Sequence, residues 1–498
     1  MSDLEGQLRL YQLGGGATGE GLLSRARVTR LAPLVVVMTG GVIAMLVTQS
    51  PVVLVVSLVA TAAVAVVTLR RSGSGEPMIV AWGHAMRRRL ARALRWDSYD
   101  PVREESPIPL GPARWMGVAP SEAEAKLAVI EHREEKYFSA VIEIEGGGAG
   151  IREHYEQNLA SARIGNFLAS VAQQTLPVDQ IDMATHTRPA ESGPYLEWMQ
   201  QRLRPDIDTN LRESMVDLAA TVADSAEQHT SWMVVRMPTA ALADRITRDY
   251  ASAPTTEALA EMAYATTEQV AGLARSAGLT VRRGLSPRRL GALIRGILMP
   301  SQSPTDLTGI GSSADGLVPY STDTERGISM VTVDEESDVS WYHSVGTIPV
   351  DGWPSWQITG RWLAPLVLGC PVSYRTVVTQ WQLVPRAQAA PMARAAATFD
   401  RSQTLSKAKR GVVTGGQEEA RERASDGILT DITQGGAAGV RPVVRMMVSA
   451  PSLGALLAAR TEVETTVTGD LELLQWDWLD RYQVGAVFTV LPLGRGIA

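Results

Sequence analysis

Apolar positions along this chain follow three patterns, and each predicts a different element. The longest is Leu31 to Leu69, which carries no charged residue and divides into two apolar runs around Gln49, Ser50 and Pro51. At about 1.5 Å per helical residue, each run spans most of a bilayer core of about 30 Å. A backbone in lipid must satisfy its amides internally, so the pattern predicts a two-helix transmembrane hairpin over residues 31–70, turning at the helix-breaking Pro51. Arg25, Arg27 and Arg30 precede it, Arg70, Arg71, Arg87, Arg88 and Arg89 follow it, and the turn has no basic residue. Basic flanks resist translocation, so the expected location is the inner membrane with both termini cytoplasmic. A buried hairpin of a soluble core is the alternative, and the uncharged length favours the membrane.

The second pattern has a helical period. Trp82, Met86, Leu90 and Leu94 recur every fourth residue, with Arg87, Arg88, Arg92 and Arg95 on other faces and Trp96 at the end. Such a helix lies in the headgroup layer or packs on the protein's own soluble part. On the first reading the membrane-interface residues are Arg70, Arg71, Trp82, Arg87, Arg88, Arg92, Arg95 and Trp96, with membrane lipids as partners.

The third pattern alternates strand-like and helix-like segments from residue 114 onward. Tyr137–Ile144, Gln180–His186, Trp232–Met237, Trp341–Ile358 and Tyr374–Val384 read as strands. Tyr155–Gln174, most of Glu191–Glu227, Thr239–Ala277 with a break at Pro254, and Pro385–Ala424 interrupted at Pro391 read as helices. Val234-Val235-Arg236-Met237 is echoed by Val443-Val444-Arg445-Met446, each followed by a helix and a further strand. The expected fold class is therefore α+β: the hairpin, then a cytosolic α/β region of two related, ferredoxin-like subdomains. The expected divisions are a tail at 1–30, the hairpin at 31–70, a basic helix and linker at 71–113, subdomains at 114–300 and 331–498, and a Ser/Gly/Pro-rich linker at 301–330.

Composition sharpens this. The net charge is −6, yet residues 1–95 are positive, so the remainder is markedly acidic. An acidic soluble part disfavours direct nucleic-acid binding. Cys370 is the single cysteine, which excludes an internal disulfide and a cysteine-based metal site. Of 47 basic residues only Lys126, Lys136, Lys407 and Lys409 are lysines.

Candidate chemistry is sparse, and no catalytic, cofactor or metal residues are assigned. No G-x-x-x-x-G-K-[ST] loop occurs, and Gly146-Gly147-Gly148-Ala149-Gly150 suits a strand-to-helix turn better than a phosphate cradle. His84, His132, His154, His186, His229 and His343 lack metal-ligand spacing. Asp477 and Asp480 are the one acidic pair suited to a glycosyltransferase-like site, and a terminal strand or turn explains them more simply. Arg275, Arg282, Arg283, Arg288, Arg289 and Arg295 cluster around Gly284-Leu285-Ser286-Pro287. Without interleaved aromatics to stack bases, Arg282, Arg283, Arg288 and Arg289 are candidates for a protein contact or a solvated face.

The two-span start, Ala140-Val141-Ile142-Glu143-Ile144-Glu145-Gly146, Leu285 to Ile294, Trp362-Leu363-Ala364-Pro365-Leu366, Gly435-Gly436-Ala437-Ala438-Gly439-Val440 and Leu491-Pro492-Leu493-Gly494-Arg495-Gly496 together resemble a family of actinobacterial membrane proteins of conjugative elements. The resemblance implies a type IV secretion-like DNA-transfer apparatus: a small inner-membrane subunit joined to a domain like the non-catalytic N-terminal part of its VirB-type assembly ATPase. It implies a scaffold rather than an enzyme, working in a homo- or hetero-oligomer beside other channel subunits and a separate P-loop ATPase. An E-type membrane component of a type VII secretion system and a membrane-anchored glycosyltransferase-like enzyme are the alternatives.

Overall fold

A computed structural model describes residues 10–12 and most of 98–496; its longer breaks are 119–126, 146–153, 173–175, 191–200, 203–206, 335–337, 354–356, 410–415 and 435–437. The strands are β1 (Leu10–Gln12), β2 (Ala113–Val118), β3 (Leu127–His132), β4 (Tyr137–Glu145), β5 (Gln180–Pro189), β6 (Glu227–Pro238), β7 (Thr280–Gly284), β8 (Tyr320–Thr322), β9 (Met330–Asp334), β10 (Val339–Thr347), β11 (Gln357–Thr359), β12 (Arg375–Val384), β13 (Gly439–Ala450) and β14 (Asp477–Trp478). The helices are α1 (His154–Val171), α2 (Thr209–Ser225), α3 (Thr239–Tyr250), α4 (Thr256–Ser276), α5 (Pro287–Leu298), α6 (Arg386–Lys409), α7 (Gly416–Thr433), α8 (Leu453–Gly469) and α9 (Gln483–Val490).

Twelve strands form one antiparallel sheet, in the order β2-β3-β4-β6-β5-β12-β13-β10-β9-β8, with β7 beside β4 and β14 beside β10. This corrects the expected fold class. Two ferredoxin-like subdomains would each keep their own sheet, whereas β5 and β12 pair along Gln180 to Thr187 and join both halves. An open β5 edge would leave a row of unpaired amides, and β12 covers it. The expected transmembrane hairpin is not seen either. No helix among the described residues is long and apolar enough to cross a membrane, and residues 31–70 lie outside them.

The strand order repeats in inverted sense about the β5–β12 seam: β4-β6-β5 on one side, β12-β13-β10 on the other. The echoed Val-Val-Arg-Met segments are β6 and β13, so Arg236 and Arg445 take matching places one strand from the seam. Asp182 and Gln380 face each other across it.

Because successive strand side chains alternate faces and both faces are covered, the inner strands are buried on both sides. On one face Val141, Trp232, Val234, Val378 and Met447 pack under α5 and α9. On the other, Phe138, Ala140, Met233 and Val235 pack under α1, α3 and α4, while Val377, Val444, Met446 and Val448 pack under α8. By compactness the end of α6 and the start of α7, Arg394–Ser425, belong to a second unit. Within it Arg401 pairs with Glu422 and Ser425 donates to Asp400.

A polar network crosses the seam of the sheet. Asp182 is buried and accepts from Gln180 Nε2 at 2.7 Å and Gln380 Nε2 at 3.3 Å. Burial raises its carboxyl to about 7. Arg445 Nη1 donates to Gln380 Oε1 at 2.7 Å, and Gln380 Nε2 also donates to the carbonyl of Arg495 at 2.9 Å. The segment 491–496 thereby lies over the seam, turning at Gly494 with φ of 70°.

Candidate arginine-lined cleft

Helix α5 is built for one position. Ser286 caps it by accepting from Arg289 N, Pro287 occupies its first turn, and Leu290, Leu293, Ile294 and Ile297 form the buried stripe that seats it on the sheet. The loop that follows folds back along α5 because both backbones come close. A Cβ on Gly291 would sit 2.5 Å from the carbonyl oxygen of Ser312, and one on Gly296 would sit 2.7 Å from Cα of Pro304. Gly291→Ala is therefore expected to force the loop from α5 and cost about 1–3 kcal/mol in denaturant unfolding, in the manner of an overpacked core; unchanged stability would show that the loop yields freely.

This packing leaves a cleft of about 860 Å³. Trp115, Met116 and Leu127 form an apolar wall from β2 and β3. Tyr264, Glu268 and Arg275 come from α4, and Arg283, Ser286, Arg288, Arg289, Ser312 and Ser313 come from β7, α5 and the folded-back loop. A smaller cleft of about 280 Å³ shares Arg283 and Arg289.

The arginines predicted as partner contacts prove unequal. Arg282 pairs with Glu143 at 3.6 Å and Glu145 at 3.3 Å, and Arg283 donates through Nε to Glu143 at 2.9 Å. These pairs pin β7 to β4 and, being exposed and screened by water, add little stability. Arg288 donates to the carbonyls of Ile310 at 2.7 Å and Leu307 at 3.2 Å, and Arg295 to that of Asp315 at 2.8 Å, so both hold the loop against the helix. The side chains of Arg275 and Arg289 have no hydrogen-bond or ion-pair partner among the described residues, and both line the cleft. Trp115 adds a buried indole N–H without a partner among the described residues.

The apolar wall is what sequence reading missed. Trp115, Met116 and Leu127 come from two strands distant in sequence from the arginine cluster, and no local periodicity joins them to it. The predicted interface residues Arg70, Arg71, Trp82, Arg87, Arg88, Arg92, Arg95 and Trp96, and the glycine run at 146–150, lie outside the described residues. Asp477 falls on β14, and Asp480 accepts a two-pronged contact from Arg460 at 3.0 and 3.0 Å, a structural pairing of one acid rather than a shared acidic site. Among the described residues no group of His, Cys, Asp and Glu is placed to hold a metal ion.

No protein-family model matches the chain, and no curated protein matches it.

Proposed function

We propose that this chain is a scaffold of a type IV secretion-like transfer machine, which docks a separate ATPase through the arginine-lined cleft. One observation carries the reading: within an arginine cluster whose other members are tied to their own fold, Arg275 and Arg289 are uncommitted and share a cleft with an apolar wall. Free guanidinium groups beside half-buried apolar side chains, here Trp115, Met116 and Tyr264, are the composition of a recognition surface, since arginine and aromatic residues carry most interface energy. The acidic balance of the chain beyond residue 95 supports a partner whose negative charge is repelled elsewhere and accepted here. The uncharged stretch Leu31 to Leu69 with its flanking arginines is the basis for placing the scaffold at the cell membrane.

Affinity capture of the full-length chain from native membranes tests this. The expected result is recovery of a P-loop ATPase that is lost when Arg275 and Arg289 are both changed to Glu. Equal recovery by wild type and variant, or extraction of the chain wholly in the soluble fraction, would end the proposal.

A further inference from the structure

We infer that the cleft receives an extended acidic segment of the partner, one that places an aromatic or aliphatic side chain next to its carboxylates; this rests on the docking reading above. The inverted repeat supplies the argument. The junction of α4, β7 and α5 in the first half corresponds in strand order to that of α8, β14 and α9 in the second.

In the second half the junction is satisfied from within. Arg460 of α8 makes its two-pronged contact to Asp480, lies 4.4 Å over the ring of Trp478, and so is held by a carboxylate and an aromatic ring two residues apart. In the first half β7 reads Thr280-Val281-Arg282-Arg283-Gly284, which offers neither an acid nor an aromatic residue. The cleft there has cations from α4 and α5 and an apolar wall, while Glu268 is its single lining acid. The occupant that completes it has the chemistry the second half carries in its own chain.

The arginine geometry favours carboxylates over a phosphate. A phosphate is gripped by several donor forks converging on one point. Arg288 already spends Nε and Nη2 on backbone carbonyls and Arg283 is bound to Glu143, which leaves Arg275 and Arg289 as single forks at the end of one helix and the start of another. Each suits one carboxylate. The volume, about 860 Å³, is in the upper part of the range of ligand clefts and admits several residues of extended chain.

Selection of random short peptides on the detergent-solubilised full-length chain tests this. The expected selected peptides set Asp or Glu beside Trp, Phe or Leu. A recovered peptide should bind about tenfold more weakly to Arg275→Glu and to Arg289→Glu, and with unchanged affinity to Arg248→Glu, an exposed change on α3. Thermal unfolding of each variant, matched to wild type, separates lost binding from lost fold. Selection without acidic enrichment, acidic peptides held undiminished by both cleft variants, or displacement by ATP or phosphatidylglycerol vesicles at lower concentration than by free peptide would each overturn the inference. If ATPase capture still depends on Arg275 and Arg289 while no acidic peptide is selected, the scaffold reading stands and the peptide inference falls. The opposite pair of results keeps the peptide chemistry and removes the ATPase as its source.

Discussion

Replacing Glu227 with Ala should be the most damaging single change to the described fold. Arg375 on β12 has a fully buried side chain, and Glu227 at the start of β6 meets it with two contacts, Nη1 to Oε1 at 2.7 Å and Nη2 to Oε2 at 2.6 Å. The remaining donors are spent on the carbonyls of Val367 and Val372. Removing the carboxylate leaves a buried guanidinium without its counter-charge, and breaking one partner of a buried pair costs about 3–5 kcal/mol. Glu227 is about one-third exposed, at 31%, so water partly replaces it and the expected loss is near the lower end, about 3 kcal/mol. Because Arg375 sits on the seam strand, opposite Thr187, the loss should appear as earlier cooperative unfolding of both halves in urea. Glu227→Ala combined with Arg375→Met should recover much of it, since the cost lies in the orphaned charge. A single variant as stable as wild type would show that the pair is not structural.

Acid should unfold this domain well before its surface carboxylates are all neutral. His132, His186 and His343 are buried with hydrogen-bonded rings: His132 to Ser139 at 3.0 Å, His186 to Thr376 at 2.9 Å, and His343 to Ser449 at 2.8 Å and Thr332 at 3.0 Å. Burial disfavours the charged ring and lowers them from 6.5 to about 3, about 3 and about 4 respectively. In the unfolded chain these rings take up protons near pH 6.5 and in the folded chain they do not, so their contribution is present above pH 6.5 and is lost as pH falls toward 4 and 3. Each proton bound only by the unfolded state costs roughly 1.4 kcal/mol per pH unit. Asp182 works the other way, because its raised pKa makes its contribution greatest below about pH 4 and lost as pH rises to about 7. Asp179 is raised in the same direction, by burial. Three histidines outweigh two aspartates, so the urea midpoint should fall steadily from pH 6.5 to 4.5. His186→Gln should flatten that slope, and a midpoint independent of pH over this interval would contradict the assignment.

The elements most readable from sequence were those whose period is set by burial alone. Tyr137–Ile144, Gln180–His186 and Tyr374–Val384 fall within or almost coincide with β4, β5 and β12, and the break at Pro254 separates α3 from α4. Pro391, expected to interrupt its helix, lies inside α6 near its start, where few intrahelical bonds are lost. What periodicity cannot report is which strand edges meet. The pattern that buries β5 and β12 on both faces is the same whether they close two sheets or one, and the pairing of Asp182 with Gln380 is a property of register that neither segment carries alone. The cleft was half legible for the same reason. Arginine clustering is a local fact, whereas the commitment of Arg288 to the carbonyl of Ile310, and the freedom of Arg289 beside it, follow from how the loop folds back.

The seam between the halves has a cost during synthesis. Asp182 and Gln380 touch although 198 positions separate them along the polypeptide. A nascent chain must therefore hold β5 with one border uncovered until β12 leaves the ribosome, and such delayed long-range pairing is slow and invites sticking to other chains. Expression in pieces split between the halves would trade a folding problem for an aggregation problem.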